Sequence, residues 1–168
     1  RLFAYLGLER RLHTVSTCLL ALELAEVHNV PALEAGTAAL FHDLAKELPL
    51  AEQRSYSDLY LGHEEENPEL LHGPAAAFLA REHFGSGRPG MSTLEKIIFL
   101  ADKIEYGRPF KDLDSIRSLA FAEGAESTEK EALLNQAVCL CFDEVFSALE
   151  RSGQEICPLS KEAYNILK

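Results

Sequence analysis

The 168-residue sequence has no tryptophan, one methionine and few basic residues. Lysine and arginine number 16 against 27 aspartates and glutamates, so the formal net charge is −11. A protein with this charge repels polyanions, and we expect no nucleic-acid partner. The four cysteines (Cys18, Cys139, Cys141 and Cys157) have no CxxC spacing, which is typical of reduced core residues in a chain of this length.

Long apolar runs are also missing, since none approaches the roughly 18 residues that span a bilayer. The charged residues Glu9, Arg10 and Arg11 do not resemble part of a signal peptide. We therefore expect no membrane partner and a cytoplasmic location. Valine, isoleucine and threonine together number 16, against 49 leucines and alanines, and this balance favours helix over strand. The length suits one domain, which we predict over residues 1–168.

Apolar periodicity and helix-end signals predict an all-α, orthogonal helical bundle. On the first helix, Leu12, Val15, Leu19 and Leu22 form one apolar stripe, and His13 lies beside it. Residues 53–70 are predicted to be a partly helical connector. Capping boxes are expected at Ser92 with Glu95 and at Thr128 with Glu131. The predicted helices span residues 9–27, 31–49, 72–84, 94–105, 132–149 and 158–168. In the last of them, Leu159, Ala163, Ile166 and Leu167 form an apolar face that we expect to dock on the core.

Several polar residues interrupt apolar helical segments. His42 and Asp43 follow a run of small and apolar residues, and Asp102 follows another. A buried carboxylate without a partner costs several kcal/mol, so such a residue is normally protonated, paired with a cation or bound to a metal. Taken singly, each residue also fits a solvent-facing or hydrogen-bonded structural role. Together with His13 and His72, they form an imidazole and carboxylate set suited to iron, manganese or zinc.

Longer strings resemble a known family. They are AGTAALFHDLAK over 35–46, LHGP over 71–74, GRPGMSTLEKIIFLADKIEYGR over 87–108 and PLSKEAYNILK over 158–168. The order of the candidate ligands, with a histidine, a His-Asp pair and a later aspartate, resembles that of the HD-domain metal-dependent phosphohydrolases. Within that superfamily, the chain resembles the symmetrical bis(5'-nucleosyl)-tetraphosphatases of the YqeK type. The resemblance implies an all-helical HD-domain fold and cleavage of diadenosine tetraphosphate into two ADP molecules.

The resemblance also implies a centre of two divalent ions. Iron is the first expectation, with manganese, magnesium or zinc as alternatives. One ion would be held by His13, His42, Asp43 and Asp102, and Asp43 would bridge to a second ion that also uses His72.

One further ligand of the family is hard to match. Family members place a His-Thr pair shortly before the GRPGMS string, whereas this chain has a short interval and only His83 there. The shortened interval represents either a true deletion, which would weaken the second metal site, or a segment absent from this sequence.

Basic residues near these motifs are candidates for binding substrate phosphates. Lys46 follows Asp43 by three residues, and we assign a catalytic role to both. Arg88 and Arg108 are the other candidate phosphate ligands, although each fits a solvated surface residue as well. The sequence leaves three functions open: the tetraphosphatase, a nucleoside monophosphate or other phosphomonoester phosphatase, and a noncatalytic nucleotide sensor. It also leaves a homodimer open.

Overall fold

The computed structural model describes residues 6–61, 68–80, 90–107, 112–122 and 126–168. These residues form eight α-helices and one short 3-10 helix, Pro68–Leu70, and no β-strand occurs in the described ranges. The all-α prediction is confirmed. The α-helices are α1 (Leu8–Val27), α2 (Ala32–Phe41), α3 (Leu50–Leu61), α4 (His72–Ala80), α5 (Thr93–Ile104), α6 (Leu113–Ala120), α7 (Ser127–Arg151) and α8 (Pro158–Leu167).

Helix α5 is central to the packing, since it contacts α1, α2, α6 and α7. It begins at the predicted capping box, in which the Ser92 hydroxyl accepts from Glu95 N and the Glu95 carboxylate accepts from Ser92 N. Phe142 of α7 stacks on Phe99 of α5 with ring centroids 4.6 Å apart. The fully buried large side chains of this core include Leu20, Leu24, Ile97, Leu100, Ile104, Ile116, Leu134 and Val138.

Three of the four residues of the apolar stripe predicted on α1 face solvent, and Leu22 is half-buried. Leu12, Val15 and Leu19 are 63%, 45% and 53% exposed. The buried face instead carries small and polar residues together with two leucines: Thr14, Thr17, Leu20, Ala21, Leu24 and Ala25. Periodicity identified the helix but selected the wrong face, because both faces of α1 carry apolar residues at helical spacing. The side chains on the buried face let α1 pack against α2 and α5.

Helix α2 is shorter than predicted. It ends at Phe41, and His42 and Asp43 lie in successive turns instead of the second half of a helix that reaches Pro49. These turns are closed by hydrogen bonds from Leu44 N to the Phe41 carbonyl and from Lys46 N to the Asp43 carbonyl, both 3.0 Å long. The three-residue spacing is that of a 3-10 helix, which winds the chain more tightly than an α-helix.

The C-terminal third differs from the sequence prediction in three ways. Helix α6 was not predicted, because its eight residues give too short a periodic signal. Helix α7 begins at Ser127 with Glu126 as its N-cap, so the capping box of Thr128 with Glu131 is wrong. Helix α8 contacts α7 as expected, and its Ala163 is buried. However, two residues of its predicted apolar face, Leu159 and Ile166, are 46% and 61% exposed.

Candidate metal centre

Four separate parts of the chain bring polar side chains to one pocket. Helix α1 supplies His13, the turns after α2 supply His42 and Asp43, α4 begins with His72, and the last turn of α5 supplies Asp102. Pairwise contacts of less than 4 Å connect all five side chains. The structure therefore brings these five candidate metal ligands together.

The tightest part of the pocket is formed by His13, His42 and Asp102. Nε2 of His13 lies 3.0 Å from Oδ1 of Asp102 and 3.3 Å from Nε2 of His42. The His42 Nε2 and Asp102 Oδ1 atoms are 3.6 Å apart. One ligand atom from each residue lies within 4.8 Å of the others, as a common metal ion requires. Two imidazole nitrogens and a carboxylate oxygen fit a first-row transition metal.

Asp43 lies between this cluster and His72, and its side chain is 2% exposed. Its Oδ2 atom lies 3.7 Å from His13 Nε2 and 3.6 Å from His42 Nε2. Its Oδ1 atom lies 3.9 Å from His72 Nε2 and 3.3 Å from the Lys46 ammonium. The two oxygens of one carboxylate therefore face different groups of side chains.

The turns after α2 explain why Lys46 lies beside Asp43. In 3-10 geometry, with about three residues per turn, side chains at positions i and i+3 lie above one another. Lys46 follows Asp43 by three residues, and its side chain is 34% exposed. The predicted proximity is thus confirmed, although it arises in consecutive turns and not on an α-helix.

A hydrogen bond fixes the orientation of His42. Its Nδ1–H donates to the backbone carbonyl of Ala39 over 2.7 Å. When Nδ1 carries the proton of the neutral imidazole, Nε2 presents a lone pair to the pocket. This orientation suits a metal ligand.

Two basic residues of the pocket were missed by the sequence analysis. Nη1 of Arg10 lies 2.6 Å from Oδ2 of Asp43, and Nζ of Lys103 lies 2.6 Å from Oδ2 of Asp102. Arg10 precedes His13 by three residues on α1, and this helical spacing was a usable signal. Lys103 directly follows Asp102, so its ion pair could not be inferred from helical spacing.

An acidic residue was missed as well. Glu105, at the end of α5, places Oε1 3.5 Å from Nδ1 of His13, on the ring edge opposite Nε2. It follows Asp102 by three residues, so helical spacing places it near the same side of α5.

The charges in the pocket keep both aspartates ionised. Burial raises the pKa of Asp102, but the Lys103 ammonium and the neighbouring His13 and His42 outweigh burial and hold this pKa well below its usual range. Burial likewise opposes ionisation of Asp43, whereas His42 and Lys46 lower its pKa. Both carboxylates are therefore available as anionic ligands.

His42 and His72 respond differently to their surroundings. Burial acts to lower the pKa of His42, but the adjacent carboxylates of Asp102 and Asp43 raise it above the ordinary value. Burial and the Lys46 charge lower the pKa of His72, which favours the neutral imidazole that binds metals. The negative charges of Asp43 and Asp102 therefore favour a cation beside His42.

Three candidate residues from the sequence analysis are not described by the structure. Arg88, Arg108 and His83 fall outside the described residues, so their proposed roles stay predictions. His28 lies at the far end of α1, where its Nε2–H donates to the Ala120 carbonyl over 2.8 Å.

Comparisons with known proteins show which proteins this chain is similar to. Residues 10–107 match the sequence profile of a family described as HD domain. The chain is 35% identical to the symmetrical bis(5'-nucleosyl)-tetraphosphatase of Bacillus subtilis, over 94% of this chain and 89% of the relative. A protein of the same description from Halalkalibacterium halodurans is 32% identical, over 92% and 87% of the two chains.

A solved structure is similar over nearly the whole chain. It is described as a predicted HD superfamily hydrolase involved in NAD metabolism from Clostridium acetobutylicum. The TM-score is 0.83 at 32% identity, and the match covers 99% of this chain and 92% of that chain.

Proposed function

The chain belongs to the HD domain family, and from this premise we propose that it is a metal-dependent hydrolase that cleaves diadenosine tetraphosphate symmetrically into two ADP molecules. The observation that carries this proposal is the 35% identity, over 94% of the chain, to a relative described by that activity. The convergence of His13, His42 and Asp102 supports the reaction class independently, because this donor set fits a divalent metal.

The ligand assignment follows from the two sides of Asp43. We assign one ion to His13, His42 and Asp102, whose ligand atoms lie within 4.8 Å of one another. Oδ2 of Asp43, 3.7 and 3.6 Å from the two imidazoles, is proposed as a further ligand of this ion. We assign a second ion to Oδ1 of Asp43 and to His72, which face each other across 3.9 Å. Iron is the metal we expect first, with manganese, magnesium or zinc as alternatives that metal analysis would distinguish.

The substrate carries several negative charges, whereas the protein carries a formal charge of −11. Local positive charge must therefore reverse the sign of the potential at the pocket. Divalent ions, when bound, would supply much of this charge, stabilise the phosphoryl oxygens and lower the pKa of a water molecule. Arg10 and Lys46 contribute further positive charge, and both already contact the Asp43 carboxylate.

Asp43 and Lys46 are the residues to which we assign catalytic roles. Asp43 is 2% exposed and lies between the cluster of His13, His42 and Asp102 on one side and His72 on the other. Its carboxylate would therefore hold the two groups of ligands at a fixed separation. The half-exposed Lys46 ammonium would turn from Asp43 towards a phosphate oxygen of the substrate, where a charge-assisted hydrogen bond is strong. Arg88 and Arg108 are kept as proposed phosphate ligands on the basis of the sequence alone.

The decisive experiment combines metal analysis with product analysis. Protein purified without oxygen should contain a transition metal and convert diadenosine tetraphosphate into ADP as the sole nucleotide product. Release of orthophosphate from nucleoside monophosphates, without ADP formation from the dinucleotide, would instead favour the phosphomonoester phosphatase. Tight binding of the dinucleotide without any turnover would favour the noncatalytic sensor.

The cellular location also stays a proposal. By length and composition alone, α7 is a candidate membrane span that the sequence analysis did not identify. Helices in the core of a soluble protein pass the same test, and α7 contributes Leu134, Ala137, Val138, Cys141 and Phe142 to the buried residues. We propose a cytoplasmic location, which cell fractionation would test. The homodimer stays a prediction that sedimentation would test.

A further inference from the structure

Glu105 is an acidic residue in an unfavourable place. It is the C-terminal cap residue of α5, where the helix dipole disfavours negative charge, and it is only 5% exposed. Burying a carboxylate costs free energy unless hydrogen bonds compensate. The contacts of Glu105 must therefore offset both costs, and they indicate what the side chain does.

Those contacts connect Glu105 to His13. Oε1 of Glu105 accepts from Nδ1–H of His13, with the two atoms 3.5 Å apart. The opposite ring nitrogen, Nε2, lies 3.0 Å from Asp102 and 3.7 Å from Asp43. His13 is thus held on one edge by Glu105 and presents its other edge to the proposed metal ligands.

Glu105 is itself held in place by the chain that follows α5. Oε2 accepts from the backbone N–H of Gly107 over 2.6 Å, and the Ser16 side chain donates a further hydrogen bond. Glycine favours this approach, because a Cβ atom at position 107 would lie 3.2 Å from both carboxylate oxygens and the carboxylate would have to shift. Contacts other than the one with His13 therefore already restrain the Glu105 side chain.

We propose that Glu105 is a positioning residue, which fixes the ring orientation of His13 by accepting from its Nδ1–H, and thereby sets the metal affinity of the pocket. The inference rests on the proposed function, in which His13 binds a divalent ion. A carboxylate that accepts from the remote N–H of a ligand histidine orients the ring and makes the ligand nitrogen more basic. The Ala39 carbonyl accepts from Nδ1–H of His42 in the same way, but Glu105 also carries a negative charge.

The test measures metal affinity and not only activity. Wild type, Glu105→Ala and Glu105→Gln would be stripped of metal, and Mn²⁺ affinity measured by competition with a chelator. We expect Glu105→Ala to weaken binding roughly 10- to 100-fold. Glu105→Gln should weaken it less, because the amide oxygen still accepts from Nδ1–H but carries no charge.

Glu23→Gln is the matched control. Glu23 is also an acidic residue that accepts a hydrogen bond from another side chain, the Tyr106 hydroxyl at 2.6 Å, but that contact is on the exposed surface. Its substitution should leave Mn²⁺ affinity unchanged. Wild-type affinity in a Glu105→Ala protein with an intact helical circular dichroism spectrum would overturn the proposal.

Gly107→Ala provides a second route if Glu105→Ala does not fold. The new methyl group should displace the Glu105 carboxylate and weaken Mn²⁺ binding in the same direction. Weakened binding in the folded Gly107→Ala and Glu105→Gln variants supports the proposal, whereas wild-type affinity in both overturns it.

Nitrogen NMR of the histidine rings separates this inference from the proposed function. In the metal-free wild type, the Nδ1 signal of His13 should show a hydrogen bond to a carboxylate, and in Glu105→Ala this signal should shift towards that of a ring without this bond. If the wild type bound no metal, the proposed function would fail, and the ring signals would still decide the role of Glu105. An unchanged Nδ1 signal of His13 in Glu105→Ala would refute it.

Discussion

Two regions of the molecule share helix α5 but have opposite chemistry. On one side, Ile97, Leu100 and Ile104 are fully buried in the apolar core with α1 and α7. On the other side, Asp102 meets His13 and His42 in a pocket of charged and polar groups. The core stabilises the fold through burial of apolar surface, whereas the pocket contains charges whose burial costs free energy. We therefore expect substitutions in the pocket to remove function and substitutions in the core to remove stability.

The largest effect is expected from Asp43→Ala. This change removes a carboxylate oxygen from each side of the pocket, so both proposed ions should be lost and hydrolysis abolished. The stability of the metal-free protein should change little, because Arg10, which loses its partner, is 27% exposed and can be hydrated. Metal analysis, product chromatography and thermal unfolding of the metal-free protein would test this. Retained metal and activity would contradict the site.

The contrasting change in the core is Phe142→Ala. Phe142 is 1% exposed and stacks on Phe99 and Phe146, with centroid distances of 4.6 and 5.4 Å. Truncating such a side chain should lower the free energy of unfolding by about 3–5 kcal/mol. Denaturant unfolding would measure the loss. The metal content of the folded molecules should match the wild type, and a loss like that of Asp43→Ala would break the contrast between the two regions.

A smaller and more selective effect is expected from His72→Ala. His72 faces only the Oδ1 side of Asp43, so the cluster of His13, His42 and Asp102 should keep its ion. We expect one ion per chain instead of two and at least roughly a 10- to 100-fold fall in activity, since even indirect partners of metal ligands contribute that much. Complete loss of metal would show that the two proposed ions, on either side of Asp43, do not bind independently of each other.

The smallest of these effects is expected from Lys46→Ala. A hydrogen bond to a charged group contributes about 1.5–3 kcal/mol, but partial exposure reduces this value, so we expect KM for the dinucleotide to rise roughly 10-fold. The metal content should be unchanged. Lys161→Ala, at an exposed position on α8, is the matched control and should leave KM at the wild-type value. Loss of metal in Lys46→Ala would instead assign the residue to the metal centre.

Much of the fold was predictable because helical periodicity and capping depend on neighbouring residues. The capping box at Ser92 and Glu95 identified the start of α5, and the end of α1 was placed correctly at Val27. Predictions were wrong where local patterns were ambiguous. The exposed stripe of Leu12, Val15 and Leu19 has the spacing of a buried face, and only packing against α2 and α5 selects the other face.

The sequence by itself determined the helical class and the candidate ligands, because an aspartate or histidine within an apolar helical segment needs a compensating partner wherever the chain folds. Only the tertiary structure decided which atoms meet. Helical spacing indicates only that Arg10 and Glu105 lie near the ligands, and it indicates nothing for Lys103. The roles of these three residues follow from distances to Asp43, Asp102 and His13. The physical reason is that ligand type is a property of single residues, whereas orientation and charge balance depend on residues that the fold brings together from different helices.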